Sequence, residues 1–66
     1  MSRYLIWCFN DTRIEHKTTS EKEAKKFYEK AIKRGCYSSI VLRKEEKNHG
    51  YAIKSWSKDA GEVLLH

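Results

Sequence analysis

The sequence predicts an α+β domain in which one helix lies on one face of a four-stranded antiparallel sheet, in the element order β-β-α-β-β. Three observations support this fold. Residues 20–35 carry a helical start signal, an apolar stripe and a stop signal. Two segments of strand character precede this helix and two follow it, and turn-forming residues join each pair. The 66 residues are expected to fold as a single domain, residues 1–66.

The first two strands are predicted at residues 3–9 and 13–18. Residues 3–9 are apolar on both faces, which is typical of a central strand that is covered on both sides. Residues 13–18 place charged side chains at every second position, so one face of this strand is expected to meet solvent. Asn10, Asp11 and Thr12 favour a turn, so the two strands should form a hairpin.

The helix is predicted over residues 20–35. Ser20 and Glu23 have the spacing of a capping box, and Gly35 stands where a left-handed C-terminal cap is needed. Apolar side chains recur at helical period and form one face: Ala24, Phe27, Tyr28, Ala31 and Ile32. This face is expected to pack on the sheet through Phe27, Ala31 and Ile32.

The last two strands are predicted at residues 37–44 and 51–57, joined by a polar turn that ends at Gly50. Because the first strand is the best candidate for the sheet interior, the favoured strand order is 2-1-3-4, with all neighbours antiparallel. The alternative order, 2-1-4-3, would pair the first and fourth strands in parallel. One helix covers one face, so the other face is expected to be solvated, dimerised or used for binding.

Residues 62–66 form an apolar tail after a flexible Ala60-Gly61 joint. Val63, Leu64 and Leu65 are consecutive apolar residues in a highly charged chain, and burying them would add much to the stability of a small domain. We therefore expect the tail to dock, either on the open sheet face or on a second copy of the chain. A homodimer is favoured, because two-fold dimers are the commonest oligomers.

Charge and cysteine content restrict the partners and the compartment. The formal net charge of +5 and the pI of about 9.4 favour an acidic partner, such as nucleic acid, an anionic membrane surface or an acidic protein face. Cys8 and Cys36 are too few for a disulfide scaffold. The apolar run from Tyr4 to Phe9 is too short to cross a bilayer, and we expect no cleavage-type leader before it. We expect a cytoplasmic protein of a bacterial or host cell, with reduced thiols and no membrane association.

The first candidate site lies on the fourth predicted strand. Lys54, Trp56 and Lys58 alternate along it and are expected to share a face, with Arg43 of the third strand beside them. An aromatic ring between cations can hold single-stranded nucleic acid by base stacking and phosphate contacts. The favoured interpretation is that Trp56 packs against the tail or a second subunit, while Lys54 and Lys58 protect an edge strand.

The second candidate site is the outer face of the helix. Four lysines cluster opposite the apolar stripe, and they could contact phosphates: Lys22, Lys26, Lys30 and Lys33. A face that is merely solvated is the favoured interpretation.

Catalytic and metal signatures are absent from the sequence. Cys8, His16, Cys36 and His49 show no spacing typical of metal ligands, and no glycine-rich phosphate loop or nucleophile motif is present. Cys8 is expected to be a core thiol. We therefore expect no enzyme, no cofactor and no metal centre.

The element order, the helix from Ser20 to Ala31 and the following segment at residues 36–45 resemble small phage-encoded inhibitor proteins, some anti-CRISPR proteins among them. The resemblance implies a non-enzymatic protein that blocks a host complex by occupying a surface.

Two functions therefore remain open. The favoured one is a small non-enzymatic binding module that engages a protein partner, for example as an inhibitor of a host complex. The residues expected to contact that partner are Arg43, Lys54, Trp56, Lys58, Leu64 and Leu65. The alternative is a nucleic-acid-binding protein that uses a basic, aromatic sheet face.

Overall fold

The computed structural model describes residues 2–65. Its elements are β1 (Arg3–Asn10), β2 (Thr12–Thr18), α1 (Glu21–Arg34), β3 (Ser39–Glu45), β4 (Gly50–Ser57) and β5 (Gly61–Leu64). The predicted α+β class, the hairpins and the order of the first four strands are confirmed. The sheet has five strands rather than four, in the order β2-β1-β3-β4-β5, and every neighbouring pair is antiparallel.

The fifth strand is the main correction to the predicted fold. The predicted tail pairs with β4 of its own chain, instead of docking on the open sheet face. Gly61 has a φ of 72°, which the reversal from β4 into β5 requires. The ladder continues beyond the strand, because the N–H of Leu65 donates to the carbonyl oxygen of Ile53 at 2.9 Å. Residue 66, the last residue of the predicted tail, lies outside the described residues.

Both predicted helix caps are present. The hydroxyl of Ser20 accepts the N–H of Glu23 at 3.3 Å, and the N–H of Gly35, whose φ is 70°, donates to the carbonyl of Ile32 at 3.2 Å. The capping box is modified, because the carboxylate of Glu23 accepts from the Thr18 hydroxyl instead of from Ser20. The Thr18 hydroxyl oxygen in turn accepts the N–H of Ser20 at 3.1 Å.

The core lies between α1 and one side of the sheet, which we call the helix face. Its buried members come from β1, β3 and α1: Tyr4, Ile6, Cys8, Ala24, Tyr28, Ala31, Ile40 and Leu42. Tyr28 is fully buried, whereas Phe27 and Ile32 are only partly buried and pack at the margin of this cluster. The helix thus packs through Ala24, Tyr28 and Ala31, and of the expected set Ala31 is central while Phe27 and Ile32 pack at the margin.

The opposite side of the sheet, which we call the far face, carries no helix within the described residues. Leu5 lies on it and is nevertheless only 3% exposed. The register places Leu5 between Lys17 and Arg43, two residues whose long aliphatic stems can cover it. The expectation that the first strand is covered on both sides therefore holds at Leu5. Within residues 2–65, no helix is long and apolar enough to cross a bilayer.

Candidate binding surfaces

The structure separates the residues of the first candidate site. Trp56 pairs with Ile40 and Lys54 pairs with Leu42, so both side chains lie on the helix face. Arg43 pairs with Leu5 and lies on the far face. Trp56 and Lys54 therefore do not form one surface with Arg43. Lys58 is exposed in the turn between β4 and β5, beyond the end of the strand.

A β-bulge interrupts the side-chain alternation of β4. Leu42 pairs with Lys54 and the next residue, Arg43, pairs with Ala52, which leaves Ile53 as the extra residue. Such an insertion shifts the side-chain alternation of one strand relative to the other. Consequently, Ala52 and Lys54 lie on opposite faces although they are two positions apart.

Lys54 belongs to a cluster that fastens β5 to the helix. Its Nζ lies 3.9 Å from Oε2 of Glu62 and 4.9 Å from the centre of the Tyr28 ring. The hydroxyl of Tyr28 donates to the same Glu62 oxygen at 3.4 Å. Burial of the phenol, together with the negative charge of Glu62, raises the pKa of Tyr28 well above its ordinary value. We call these three residues the β5 anchor.

The outer side of β5 is the first surface that can take a partner. Val63, Leu64 and Leu65 are 43%, 72% and 49% exposed. Val63 pairs with Ser55 and lies on the far face, whereas Leu64 pairs with Lys54 and lies on the helix face. Within the described residues, β5 is paired only with β4, so its other side presents free backbone groups. We call the outer side of residues 61–65 the β5 edge.

The second surface is centred on Trp7, in the middle of the far face. The register places Trp7 between Glu15 of β2 and Val41 of β3. Its Nε1–H donates to Oε2 of Glu15 at 2.8 Å. The guanidinium carbons of Arg43 and Arg13 lie 4.6 Å and 4.9 Å from the ring centre, so both cations contact the ring. We call Trp7, Arg13 and Arg43 the Trp7 platform.

The charges around this platform are unevenly compensated. The hydrogen bond from Trp7, with help from Lys17 and Arg13, lowers the pKa of Glu15, and Lys17 pairs with Glu15 at 3.6 Å. Arg3 pairs with Glu45 at 3.5 Å. Neither guanidinium of the platform forms a salt bridge with a carboxylate of residues 2–65.

Arg43 has a further unsatisfied group. Its Nε is buried and has no hydrogen-bond partner among the described residues. Gly50 provides the room that this side chain occupies, because a Cβ there would lie 3.3 Å from Nη2 of Arg43 and 3.0 Å from Cγ of Glu45. The guanidinium is thus held in place by packing against Trp7 rather than by an anion.

The four lysines of the second candidate site are exposed on α1, and they are Lys22, Lys26, Lys30 and Lys33. Lys30 and Lys33, with Arg34, border a groove of about 530 Å³ whose apolar lining includes Phe27 and Tyr37. Two of the four lysines therefore border an apolar groove. The ring of His16 stacks on Phe27 at a centroid distance of 4.0 Å, and both rings line a smaller neighbouring groove.

Cysteine and histidine side chains do not assemble a reactive centre in the part of the chain that the structure describes. Cys8 is buried and Cys36 is exposed, and both are free thiols. Burial and the nearby Cys36 raise the pKa of Cys8, which makes its thiolate less available. No group of three or more potential metal ligands occurs within residues 2–65.

Sequence analysis did not identify Trp7 and Arg13 as site residues. One signal was available: the first strand is apolar on both faces, and one helix covers only one of them. Large apolar side chains on the uncovered face, with arginines on both neighbouring strands, mark that face as a candidate surface. Searches found no matching family model, curated protein or solved structure, so the two surfaces themselves carry the functional argument.

Proposed function

We propose that this protein is a small non-enzymatic binding module that engages a protein partner by pairing a strand with the β5 edge. The observation that carries the proposal is the exposure of three consecutive apolar side chains, residues 63–65, on a strand with one free side. Strand addition uses the backbone groups of an edge for affinity and the alternating side chains for specificity.

The β5 edge is suited to this role because it is held in a fixed position. The β5 anchor ties Glu62 to both α1 and β4, so the strand does not need to be ordered when a partner arrives. Preorganisation of this kind lowers the entropic cost of binding. Lys54 and Trp56 then support the site from within the domain, whereas Leu64, Leu65 and the exposed Lys58 contact the partner directly.

The chemistry of the edge also describes the partner. It should offer a strand with apolar side chains, and an acidic surround would suit the net charge of +5. A second copy of the chain meets the first requirement through antiparallel pairing of two β5 edges, which gives the expected homodimer. Inhibition of a host complex, which the resemblance to phage inhibitors implies, would use the same edge to occupy a surface of that complex.

The test compares two exposed apolar residues, one on each edge strand. Leu64→Lys places a charge on the β5 edge, and Ile14→Lys places the same charge on β2, where Ile14 is 50% exposed. The mass of each variant in solution is measured by light scattering over a range of concentrations. Each variant also serves as bait for chemical cross-linking in cell extract.

We expect wild type and Ile14→Lys to self-associate or to be cross-linked to the same partner protein. Leu64→Lys should weaken this association at least ~10-fold. A loss of this size corresponds to removing one buried leucine from an interface. The proposal is wrong if wild type is monomeric and no cross-linked protein distinguishes the two variants.

A further inference from the structure

We propose that the Trp7 platform is a second, independent binding site, and that it takes single-stranded nucleic acid. In this site a base stacks on the ring system of Trp7 and its guanidinium neighbours, while Arg13 and Arg43 contact phosphates. The platform lies on the far face of β1, β2 and β3, two strands away from β5, so it does not depend on the β5 edge.

The guanidinium of Arg43 has a buried hydrogen-bond donor that lacks an acceptor among the described residues. A half-buried guanidinium without a carboxylate partner and with a buried, unbonded Nε is incompletely satisfied. A bound anion would accept from the terminal Nη groups, which form no salt bridge within residues 2–65. Phosphate suits a guanidinium particularly well, because its oxygens match the planar fork of donors.

The aromatic ring of Trp7 lies between two cations, Arg13 and Arg43. Arg13 pairs with Phe9 and Arg43 pairs with Leu5, so their backbones lie on opposite sides of Trp7, about 16 Å apart, and their guanidiniums reach the ring from two directions. A base on the central ring therefore has a cation on either side for the flanking phosphates. Proteins that bind single strands without sequence preference combine a stacking surface with such backbone contacts.

The two carboxylates of the far face, Glu15 and Glu45, are each paired with a cation. Glu15 accepts from Trp7 and pairs with Lys17, and Glu45 pairs with Arg3, so each acidic charge is balanced locally. Their repulsion of phosphate is correspondingly small. An acidic peptide would also meet the arginines, but it would leave the aromatic surface unused, and nucleic acid uses both.

The experiment titrates the protein with an oligothymidylate of about ten nucleotides, a length within the range of single-strand binding sites. In a Trp56→Phe background, the remaining tryptophan is Trp7, and its fluorescence should be quenched by the bound base. Anisotropy of an end-labelled oligonucleotide with the wild-type protein measures the same binding without any substitution. If two phosphates are contacted, log K should fall with log salt at a slope of about −1.4.

Variants of matched charge separate this site from general electrostatic attraction. Arg43→Gln should weaken binding about 10-fold and reduce the salt slope by about 0.7. Arg43→Lys should recover the slope but not all of the affinity, because an ammonium group cannot stack as a guanidinium does. Lys25→Gln removes the same charge from the exposed surface of α1 and should change the affinity less than about 2-fold.

Three results would overturn the proposal. The first is the absence of both quenching and an anisotropy change at low salt. The second is an equal loss of affinity in Arg43→Gln and Lys25→Gln. The third is equal binding and quenching by polyglutamate, which would assign the platform to acidic peptides instead.

Discussion

The two edge strands of the sheet, β2 and β5, differ in length and in chemistry. β2 has seven residues, and its far-face positions are occupied by Arg13, Glu15 and Lys17. β5 has four residues and exposes apolar side chains at positions 63–65. Charged side chains along an edge disfavour pairing with another chain, because they would have to be desolvated. The comparison indicates that β2 is protected by charge and that β5 is available for pairing.

Both edges are nevertheless fixed to the domain in a similar way. A glutamate of each edge strand accepts a hydrogen bond from an aromatic donor and pairs with a lysine: Glu15 with Trp7 and Lys17, and Glu62 with Tyr28 and Lys54. The environments differ, since Tyr28 is buried between α1 and the sheet whereas Trp7 lies on the uncovered face. At β5, burial and the charge of Glu62 raise the pKa of the Tyr28 phenol. At β2, the hydrogen bond from the Trp7 indole lowers the pKa of the Glu15 carboxylate.

The largest expected effect is the loss of β5. Deleting residues 62–66 should lower the free energy of unfolding by about 2–3 kcal/mol, because β4 loses its ladder partner and Tyr28 loses its acceptor. For a domain of this size the melting temperature should fall by about 10–20 °C. Leu64→Ser is the matched control, because it keeps the backbone pairing and Leu64 is 72% exposed, so its effect should stay within about 0.5 kcal/mol. An unchanged melting temperature after the deletion would mean that β5 does not stabilise the domain.

A smaller effect is expected from the β5 anchor. Glu62→Gln should cost up to about 1 kcal/mol, a modest figure because the Glu62 side chain is 44% exposed. Since the folded-state pKa of Tyr28 is raised above its unfolded value of 10.0, its contribution to stability is complete below that pH and is lost as the pH rises above it. Removing the charge of Glu62 should bring the pKa of Tyr28 down and weaken this alkaline dependence.

The measurement is thermal melting as a function of alkaline pH, together with phenolate absorbance. Tyr28→Phe provides the reference, because it removes the titrating group and keeps the ring. If Glu62→Gln and wild type lose stability over the same alkaline range, Glu62 does not act on Tyr28.

The smallest effect is expected at the β2 edge. The pKa of Glu15 is lowered, chiefly by the hydrogen bond from Trp7, so its contribution is present above the ordinary value of 4.5 and is lost as the pH falls below it. Glu15→Gln should make melting less dependent on pH in this acidic range and should shift the Trp7 indole N–H resonance. Glu21→Gln, on the exposed start of α1, is the control for loss of one carboxylate. An identical acidic profile in both variants would show that the bond to Trp7 has no special effect.

The helix and its ends were predictable because their signals are local. A capping serine, apolar residues at helical period and a terminal glycine act within a few residues of each other, and all three hold in the structure. The hairpins and the order of the first four strands followed from turn residues and from the apolar character of β1.

The composition of the surfaces was decided by the tertiary structure. The face taken by a strand residue depends on register, and the pairing of Lys54 with Leu42, the neighbour of Arg43, places Lys54 and Arg43 on opposite faces. The four residues of β5 are too few to distinguish a strand from a loose apolar tail by periodicity.

The sequence by itself thus determined the type of each major element, because helix capping, side-chain period and turn chemistry are properties of neighbouring residues. Only the tertiary structure decided which side chains meet. Trp7 and Arg43 are 36 positions apart in the chain, and the pairing of β1 with β3 brings their side chains together. Contacts between distant segments arise from strand register and packing against the helix, which no local pattern encodes.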